Sequence, residues 1–362
     1  MSSYVEDKMA KKTHKQLLFF TCFLFVILFL YMRISRQVSS ISQDQIKYPS
    51  FIEPIHSSRQ RRKNNSQLLI LVWTWPFRET FPLDTCQSAY RISGCNLTVN
   101  RDLLGQADAV ILHHYDVMYS RDLPQGPRPH HQRWVWFNIE PPIVVENLNI
   151  FDNLINLTMT YREDSDIFLP YGFLKPLKEP HSFKMPTKSR LVAWVVSKWY
   201  PGARRNSYYK ELKKHIHIDV YGKYHQKLSW DDLDSTLVQY KFYLAFENCE
   251  HEDYITEKLW SNSFNMGVVP VVLGATRKNY ERFIPSDSFI HVDDFASPKE
   301  LAEFLMSLDK DNAKYEKYFK WRLKYEVVRE TGWDNIHCKA CRELQQYEGY
   351  KAMPSVATWF LK

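Results

Sequence analysis

Nine short apolar runs, separated by polar or amphipathic stretches, constrain this chain more than any other feature. They are Leu68–Trp75 (LLILVWTW), Ala109–His113 (AVILH), Trp134–Ile139 (WVWFNI), Leu157–Thr160, Leu191–Val196 (LVAWVV), Ile216–Tyr221 (IHIDVY), Tyr240–Phe246 (YKFYLAF), Val268–Leu273 (VVPVVL) and Phe289–Val292. A strand with one wet face alternates polar and apolar residues; continuous apolar runs suit parallel strands buried on both faces. Parallel strands need crossovers, and stretches such as Tyr254–Asn265 and Pro298–Leu308 read as helices that supply them. The chain is therefore expected to be α/β. Between the runs lies FLKPLKEPHSFKMPTKSR (173–190), with three Pro and four Lys and no period. It reads as a linker. The expected organisation is a first domain over 66–172, a linker over 173–189, a second domain over 190–330, and a tail over 331–362 that returns to the first domain. A chain of 362 residues is long enough for two such cores. Two α/β domains facing each other leave a cleft at the C-terminal ends of their strands.

The region before residue 66 has another character. Residues 17–32, LLFFTCFLFVILFLYM, are sixteen uncharged and mostly apolar positions. As a helix they span roughly 24 Å, short but workable for a thin secretory membrane. Lys8, Lys11, Lys12 and Lys15 precede the run, and Arg33 and Arg36 follow it. The bias predicts a cytosolic tail (1–16), a type II anchor (17–32), a polar stem (33–65) and a lumenal body. No small-x-small cleavage site follows, which argues against a cleaved leader. Arg59-Gln60-Arg61-Arg62 has the spacing of a processing site but reads first as a solvated basic patch. Residues 1–65 hold eleven Lys/Arg and four Asp/Glu, which is the whole net charge of +7. The remaining body is balanced at 37 of each sign. A neutral body argues against nucleic-acid binding through a general basic surface. Sequons at Asn64, Asn96 and Asn156 fit lumenal exposure. Cys86, Cys95, Cys338 and Cys341 form two close pairs in sequence. They admit a four-cysteine zinc site, but in an oxidising lumen disulfides are the better reading.

Several segments carry chemistry. Trp134–Ile139 ends in Glu140-Pro-Pro: an apolar strand delivering a carboxylate into a stiff loop, either a surface residue or a general base at the cleft rim. Asp164-Ser-Asp166 has the Asp-x-Asp spacing that holds a divalent cation, although turn-forming acids explain it as well; Asp232-Leu-Asp234 is a weaker case. Pro201-Gly202 followed by Arg204 and Arg205 suggests a turn, then a helix with cations at its start, suited to phosphate. FENCEHEDYITEKLW (246–260) crowds charges after a strand. Asp253 reads as the N-cap of a helix from Tyr254. Glu257 and Lys258 lie in its first turns about 100° apart, so the one is not expected to be the other's simple partner. Glu250, His251 and Glu252 read as a solvated turn.

FENCEHEDYITEKLW, with VPVVLG, NYERFIP, SFIHVDDF, WTWPF, HHYDVM, RWVWFNIEPP, NLTMTYREDSDIFLPYG, LVAWVVSKW and KFYLAFEN, resembles the α1,3-fucosyltransferases of glycosyltransferase family 10, in the vertebrate Lewis-type branch. The resemblance covers essentially all of 66–362. It implies a GT-B-type fold, two Rossmann-like domains facing a cleft, behind a type II Golgi membrane anchor. It implies inverting transfer of L-fucose from GDP-β-L-fucose to O3 of GlcNAc in N-acetyllactosamine-type glycoproteins or glycolipids, with no metal or other cofactor required. Glu140 matches the base; Arg205 and Lys258 match phosphate contacts and Glu257 the ribose contact. Tyr171, Asn248, Tyr254, Ser197, Lys198, Val195 and Tyr243 match other donor-side positions; Glu79, His113, His114, Tyr115 and Trp136 match the acceptor side. The resemblance also implies the disulfides Cys86–Cys338 and Cys95–Cys341. The sequence departs from it at Cys249, where Ser is usual, at Lys198, Glu79 and Tyr115. Cys249 is expected to react with thiol reagents unless GDP-fucose protects it.

Overall fold

The computed structural model describes residues 67–179 and 183–362. The expected tail, anchor and stem (1–65) and the sequon at Asn64 lie outside the described residues. Six strands form the first sheet: β1 (Leu68–Val72), β2 (Cys95–Thr98), β3 (Ala109–His113), β4 (Arg133–Asn138), β5 (Leu157–Thr160) and β6 (Ile167–Phe168). They are all parallel, in the order β2-β1-β3-β4-β5-β6. Strand β7 (Gly172–Pro176) leaves this sheet and occupies the start of the expected linker. The second sheet comprises β8 (Arg190–Val195), β9 (Asp219–Tyr221), β10 (Tyr240–Phe246), β11 (Val269–Leu273) and β12 (Ile290–His291). It too is all parallel, in the order β12-β11-β10-β8-β9.

The two sheets share one winding. In each, the first strand sends the chain one way for one strand and then the other way for the rest. The order therefore reverses between β1 and β3, and again between β8 and β10. Such switch points open a crevice beyond the carboxyl ends of the strands, and ligands bind there. The apolar runs fill the cores: β3 and β4 are buried along their whole length, as are β5 and β11.

The tail closes the first half. Strand β13 (Tyr325–Arg329) pairs antiparallel with β7. Helices α1 (Thr85–Tyr90) and α2 (His114–Ser120) belong to the first half, and α3 (Arg204–Leu212) and α4 (Pro298–Asp309) to the second. Helix α5 (Trp333–Gln346) packs on α1 and is bonded there by Cys86–Cys338, while Cys95–Cys341 ties it to β2. Helix α6 (Val356–Phe360) buries Val356 and Phe360 completely against the first core, with Phe360 5.1 Å from Trp136.

Two expectations are corrected here. The stretch Tyr254–Asn265 is not one α-helix. A short turn, Glu257–Leu259, runs into a π-helix over Trp260–Asn265. Asp253 does not cap it: Asp253 has a left-handed φ of 62°, and the cap is Thr256. The sequons also differ. Asn96 is exposed on edge strand β2, but Asn156 is 0% exposed. Its Oδ1 accepts from Trp134 N–H and its Nδ2 donates to the Lys351 carbonyl at 2.6 Å, so in this conformation it has no room for a glycan.

Candidate active site

Strand β10 ends at Phe246, and the next side chain, Glu247, is fully buried at the second switch point. Its Oε1 accepts the Thr256 N–H at 2.8 Å and the Thr256 hydroxyl at 3.0 Å. Lys258 Nζ lies 3.1 Å from Glu247 Oε2, 3.0 Å from Glu257 Oε1 and 2.8 Å from Thr256 Oγ1. The neighbours Glu257 and Lys258 are thus ion-paired after all, because the long lysine bends back across the capping turn. Burial pushes Glu247 above the usual carboxylate range, with Lys258 opposing. Burial also acts to raise Glu257, but Lys258 prevails and holds it low. For Lys258 burial acts downward, and the two carboxylates override it and keep the ammonium charged. Gly274 makes room for this cluster: a Cβ there would meet the Tyr280 hydroxyl at 2.8 Å and Glu247 Cγ at 3.0 Å.

Arg205, in the first turn of α3 and 3% exposed, reaches the same strand end. It donates to the Phe246 carbonyl at 3.4 Å, to Asn248 Oδ1 and to the Lys198 carbonyl. Ser197 and Lys198 are exposed just beyond β8. The structure therefore gathers Ser197, Lys198, Arg205, Asn248, Glu257 and Lys258 around the β8/β10 switch. Val195, half-buried, ends β8. Tyr243 is corrected: it is 1% exposed, and its hydroxyl accepts from Asn262 beneath the strands, so it supports the site rather than facing a ligand.

Glu140 follows β4 on the other sheet. Asn138 fixes its backbone, donating to the Glu140 carbonyl at 2.8 Å and accepting its N–H at 3.3 Å. Among the described residues its carboxylate makes no hydrogen bond or ion pair. Two tyrosines, half-buried Tyr171 and buried Tyr254, join the halves. Tyr171 donates to the Ile139 carbonyl at 2.7 Å, and its ring lies 6.2 Å from that of Tyr254. Burial raises the pKa of both hydroxyls well above the ordinary tyrosine value, and Glu140, Glu247 and Glu257 add to the rise in both. The tyrosine pair thus lies in the field of carboxylates from both sheets.

The expected solvated turn is only partly so. Glu250 and Glu252 are exposed and pair with Arg204 and Arg282. His251 is buried: its Nε2 lies 2.9 Å from the Phe360 carbonyl and its Nδ1 2.8 Å from the Tyr161 hydroxyl. A carbonyl only accepts, so Nε2 carries the proton and Nδ1 accepts from Tyr161. Asp253 bridges the halves, accepting from Glu163 N–H at 2.9 Å and from Asn279 Nδ2 at 2.6 Å.

On the acceptor side, Glu79 lines a cavity of about 400 Å³ with Ile139, Tyr171, Glu330 and Trp333, and accepts from Trp333 Nε1 at 2.8 Å. Tyr115 lines a second cavity of about 440 Å³ at the β1/β3 switch. Three acceptor-side expectations are corrected. Trp136 is 0% exposed and donates to His114 at 3.2 Å; His113 and His114 are each 1% exposed. They are core and positioning groups: Trp136 and His113 lie on the central strands β4 and β3, and His114 opens α2 against Trp136 and Phe151. Among the described residues no group of acids, histidines or cysteines could hold a metal. Asp164 is held by Arg162, and Asp166 by Thr158 and Lys351.

Glu247, Thr256 and Trp333 escaped the sequence reading. A carboxylate directly after a seven-residue apolar run was the available signal for Glu247. Trp333 sits in the tail, whose part in a cavity no local pattern reveals.

A switch-point crevice holding buried cations, and near the other a carboxylate at the end of β4 with no partner among the described residues, fit a group-transfer enzyme built on two Rossmann-like sheets. The family described as "Fucosyltransferase, N-terminal" matches residues 65–172, and "Glycosyltransferase family 10 (fucosyltransferase) C-term" matches residues 185–359. The chain belongs to this fucosyltransferase family. It is 47% identical over 355 residues to the 3-galactosyl-N-acetylglucosaminide 4-alpha-L-fucosyltransferase FUT3 of Pan troglodytes, covering 95% of this chain and 94% of that one. It is 49% identical over 299 residues to the 4-galactosyl-N-acetylglucosaminide 3-alpha-L-fucosyltransferase FUT5 of Homo sapiens, covering 81% and 80%. A crystal structure of an alpha1,3-fucosyltransferase with GDP-fucose shares the fold, with a TM-score of 0.51 and 18% identity over 81% of this chain and 95% of that one.

Proposed function

We propose that this enzyme transfers L-fucose from GDP-β-L-fucose to O3 of GlcNAc in N-acetyllactosamine-type glycans, with inversion. The acceptor oxygen attacks the anomeric carbon from the face opposite GDP. The bond from that carbon to the diphosphate oxygen breaks, and Glu140 takes the hydroxyl proton. Arg205 and Lys258 face the charge that grows on departing GDP, and Glu257 accepts hydrogen bonds from ribose hydroxyls. Fixed cations aimed at a developing anion are an effective source of catalysis, and they fill the part a metal plays elsewhere. We read the reaction as needing no metal; undiminished transfer in excess EDTA is the expected result. The relatives' names divide between 4-alpha and 3-alpha transfer, and the O3 product is the one chosen here. The apolar run at 17–32 supports a type II Golgi anchor with the catalytic body lumenal.

One observation carries the reading. Tyr171 is bonded to the Ile139 carbonyl next to Glu140, and its ring lies 6.2 Å from Tyr254, two residues before the Thr256–Glu257–Lys258 turn. A carboxylate without a partner among the described residues and a buried cation thus share one neighbourhood. The test is Glu140→Gln assayed with GDP-fucose and Galβ1-4GlcNAc. Turnover is expected to fall about 10²–10⁴-fold with GDP affinity by calorimetry retained. Normal turnover in that variant removes Glu140 as the base.

A further inference from the structure

The two arginines at the start of α3 have different fates. Arg205 is buried and serves the end of β10, whereas Arg204 is exposed and committed to carboxylates. Its Nη1 donates to Glu250 Oε2 at 2.8 Å, and both of its Nη atoms donate to Asp293. A helix N-terminus favours anions, yet the first turn of α3 carries both cations and no acid. Glu250 and Asp293 supply the opposite charge from outside the helix.

The two acids are anchored differently. Asp293 follows β12, and its N–H donates to His291 Nδ1 at 3.1 Å. His291 is 1% exposed, and its Nε2 donates to the Ala275 carbonyl at 3.0 Å. The neighbouring Asp294 accepts from Arg277 Nε at 2.7 Å, so the turn is braced from two sides. Glu250 lies on the segment Asn248-Cys249-Glu250. Among the described residues, the backbone of that segment makes no hydrogen bond to other backbone. Side chains hold it instead: Arg205 bonds Asn248 at one end, and Arg204 bonds Glu250 at the other. Consecutive arginines thus hold residues two apart.

We propose that Arg204 is a positioning residue for the donor: it clamps Glu250 to the braced turn at Asp293 and so keeps Asn248 and Arg205 in register for the diphosphate sugar. The inference rests on GDP-fucose binding at the β8/β10 switch, as proposed above. Arg204 touches no reacting atom. Exposed ion pairs add little to stability and are screened by salt. The clamp therefore tunes donor affinity and leaves the fold and the chemical step alone.

The test uses the detergent-solubilised full-length enzyme, with GDP binding read by calorimetry and kinetics with GDP-fucose and Galβ1-4GlcNAc. Arg204→Ala and Glu250→Ala are each expected to weaken GDP binding and raise KM for GDP-fucose about threefold to tenfold. In both, kcat, KM for the acceptor and the melting transition stay at native values. The double variant is no weaker than the weaker single one, because either change opens the same clamp. Glu250→Ala separates a clamp from a simple field. Removing a negative charge near a diphosphate tightens GDP if charge alone acts, whereas an opened clamp weakens it. Arg204→Lys keeps the charge without the fork and falls between native and Arg204→Ala. The gap between native and Arg204→Ala closes as salt rises. Unchanged or tighter GDP binding in Glu250→Ala overturns the clamp, as does a fall in kcat with GDP affinity intact. Should Arg204→Ala fail to fold, Glu250→Gln and Asp293→Asn carry the same test with the same outcomes. No GDP binding by the native enzyme sinks the donor reading itself, whereas native binding with native-like variants sinks the clamp alone.

Discussion

The two switch points have the same strand winding and opposite chemistry. At β8/β10 the charges are mutually satisfied: buried Glu247 and Lys258, exposed Glu257 and buried Thr256 form one network, with Arg205 alongside. At β1/β3 and the neighbouring end of β4, the walls are aromatic, and Glu140 stands without a partner among the described residues. On the proposed reading, the contrast is how one topology serves two ligands. A diphosphate carries its charge with it, so its site keeps cations fixed before it arrives. A sugar hydroxyl acquires charge only during reaction, so its site keeps a free base and stacking surface.

If that contrast holds, removing the free group harms chemistry without harming the fold. Glu140→Gln should lose about 10²–10⁴-fold in turnover with an unaltered melting transition; a large drop in melting temperature would place Glu140 in the scaffold instead. Removing a networked group should harm the fold as well as the chemistry. Lys258→Met leaves Glu247 buried without its partner, and denaturant unfolding should show a loss of about 3–5 kcal/mol. A neutral effect there would erase the distinction between the two crevices. Next in size is the covalent tie to the first half: Cys95→Ser with Cys341→Ser should cost about 2–4 kcal/mol, read as a lower denaturation midpoint.

Acid should act through the first half. His114 and His337 are buried, each 1% exposed or less, and burial holds both down to about 4; the nearby His113 lowers them further. Their folded values lie below the ordinary 6.5, so the unfolded chain binds protons first. Stability is fully present above about pH 6.5 and is lost as pH falls toward 4, by about 2 kcal/mol per histidine at pH 5. A flat stability profile between pH 7 and 5 would contradict this. The smallest effect concerns Cys249, which is half-buried, with burial and Glu250 raising its thiol. Alkylation should be slow at neutral pH, faster in alkali, and slowed by GDP-fucose, as mass spectrometry would show.

The central strands were legible because burial on both faces forces a continuous apolar run. Ala109–His113, Leu157–Thr160 and Tyr240–Phe246 match to the residue. Strand β2 was not, because Cys-Asn-Leu-Thr at a sheet edge buries only Leu97 fully. Strand β7 was hidden in a segment read almost wholly as linker, and β13 at the end of the expected second domain, since each is a strand only by virtue of the other. Within the site, residue types were readable but partnerships were not. His251 looked solvated because its partners, Tyr161 and Phe360, are 90 and 109 residues away. Asp253 looked like a cap because its left-handed backbone and its bonds to Glu163 and Asn279 are set by tertiary contact.

The placement of Phe360 has a consequence for how the protein is made. Its ring completes the packing under Trp136 and its carbonyl fixes His251. The first sheet is made well before these residues, because the whole second sheet lies between them in the chain. Both disulfides close over separations of 252 and 246 residues, so they too must wait for the later segment. A chain cut before Phe360 lacks a piece of the core that was laid down first.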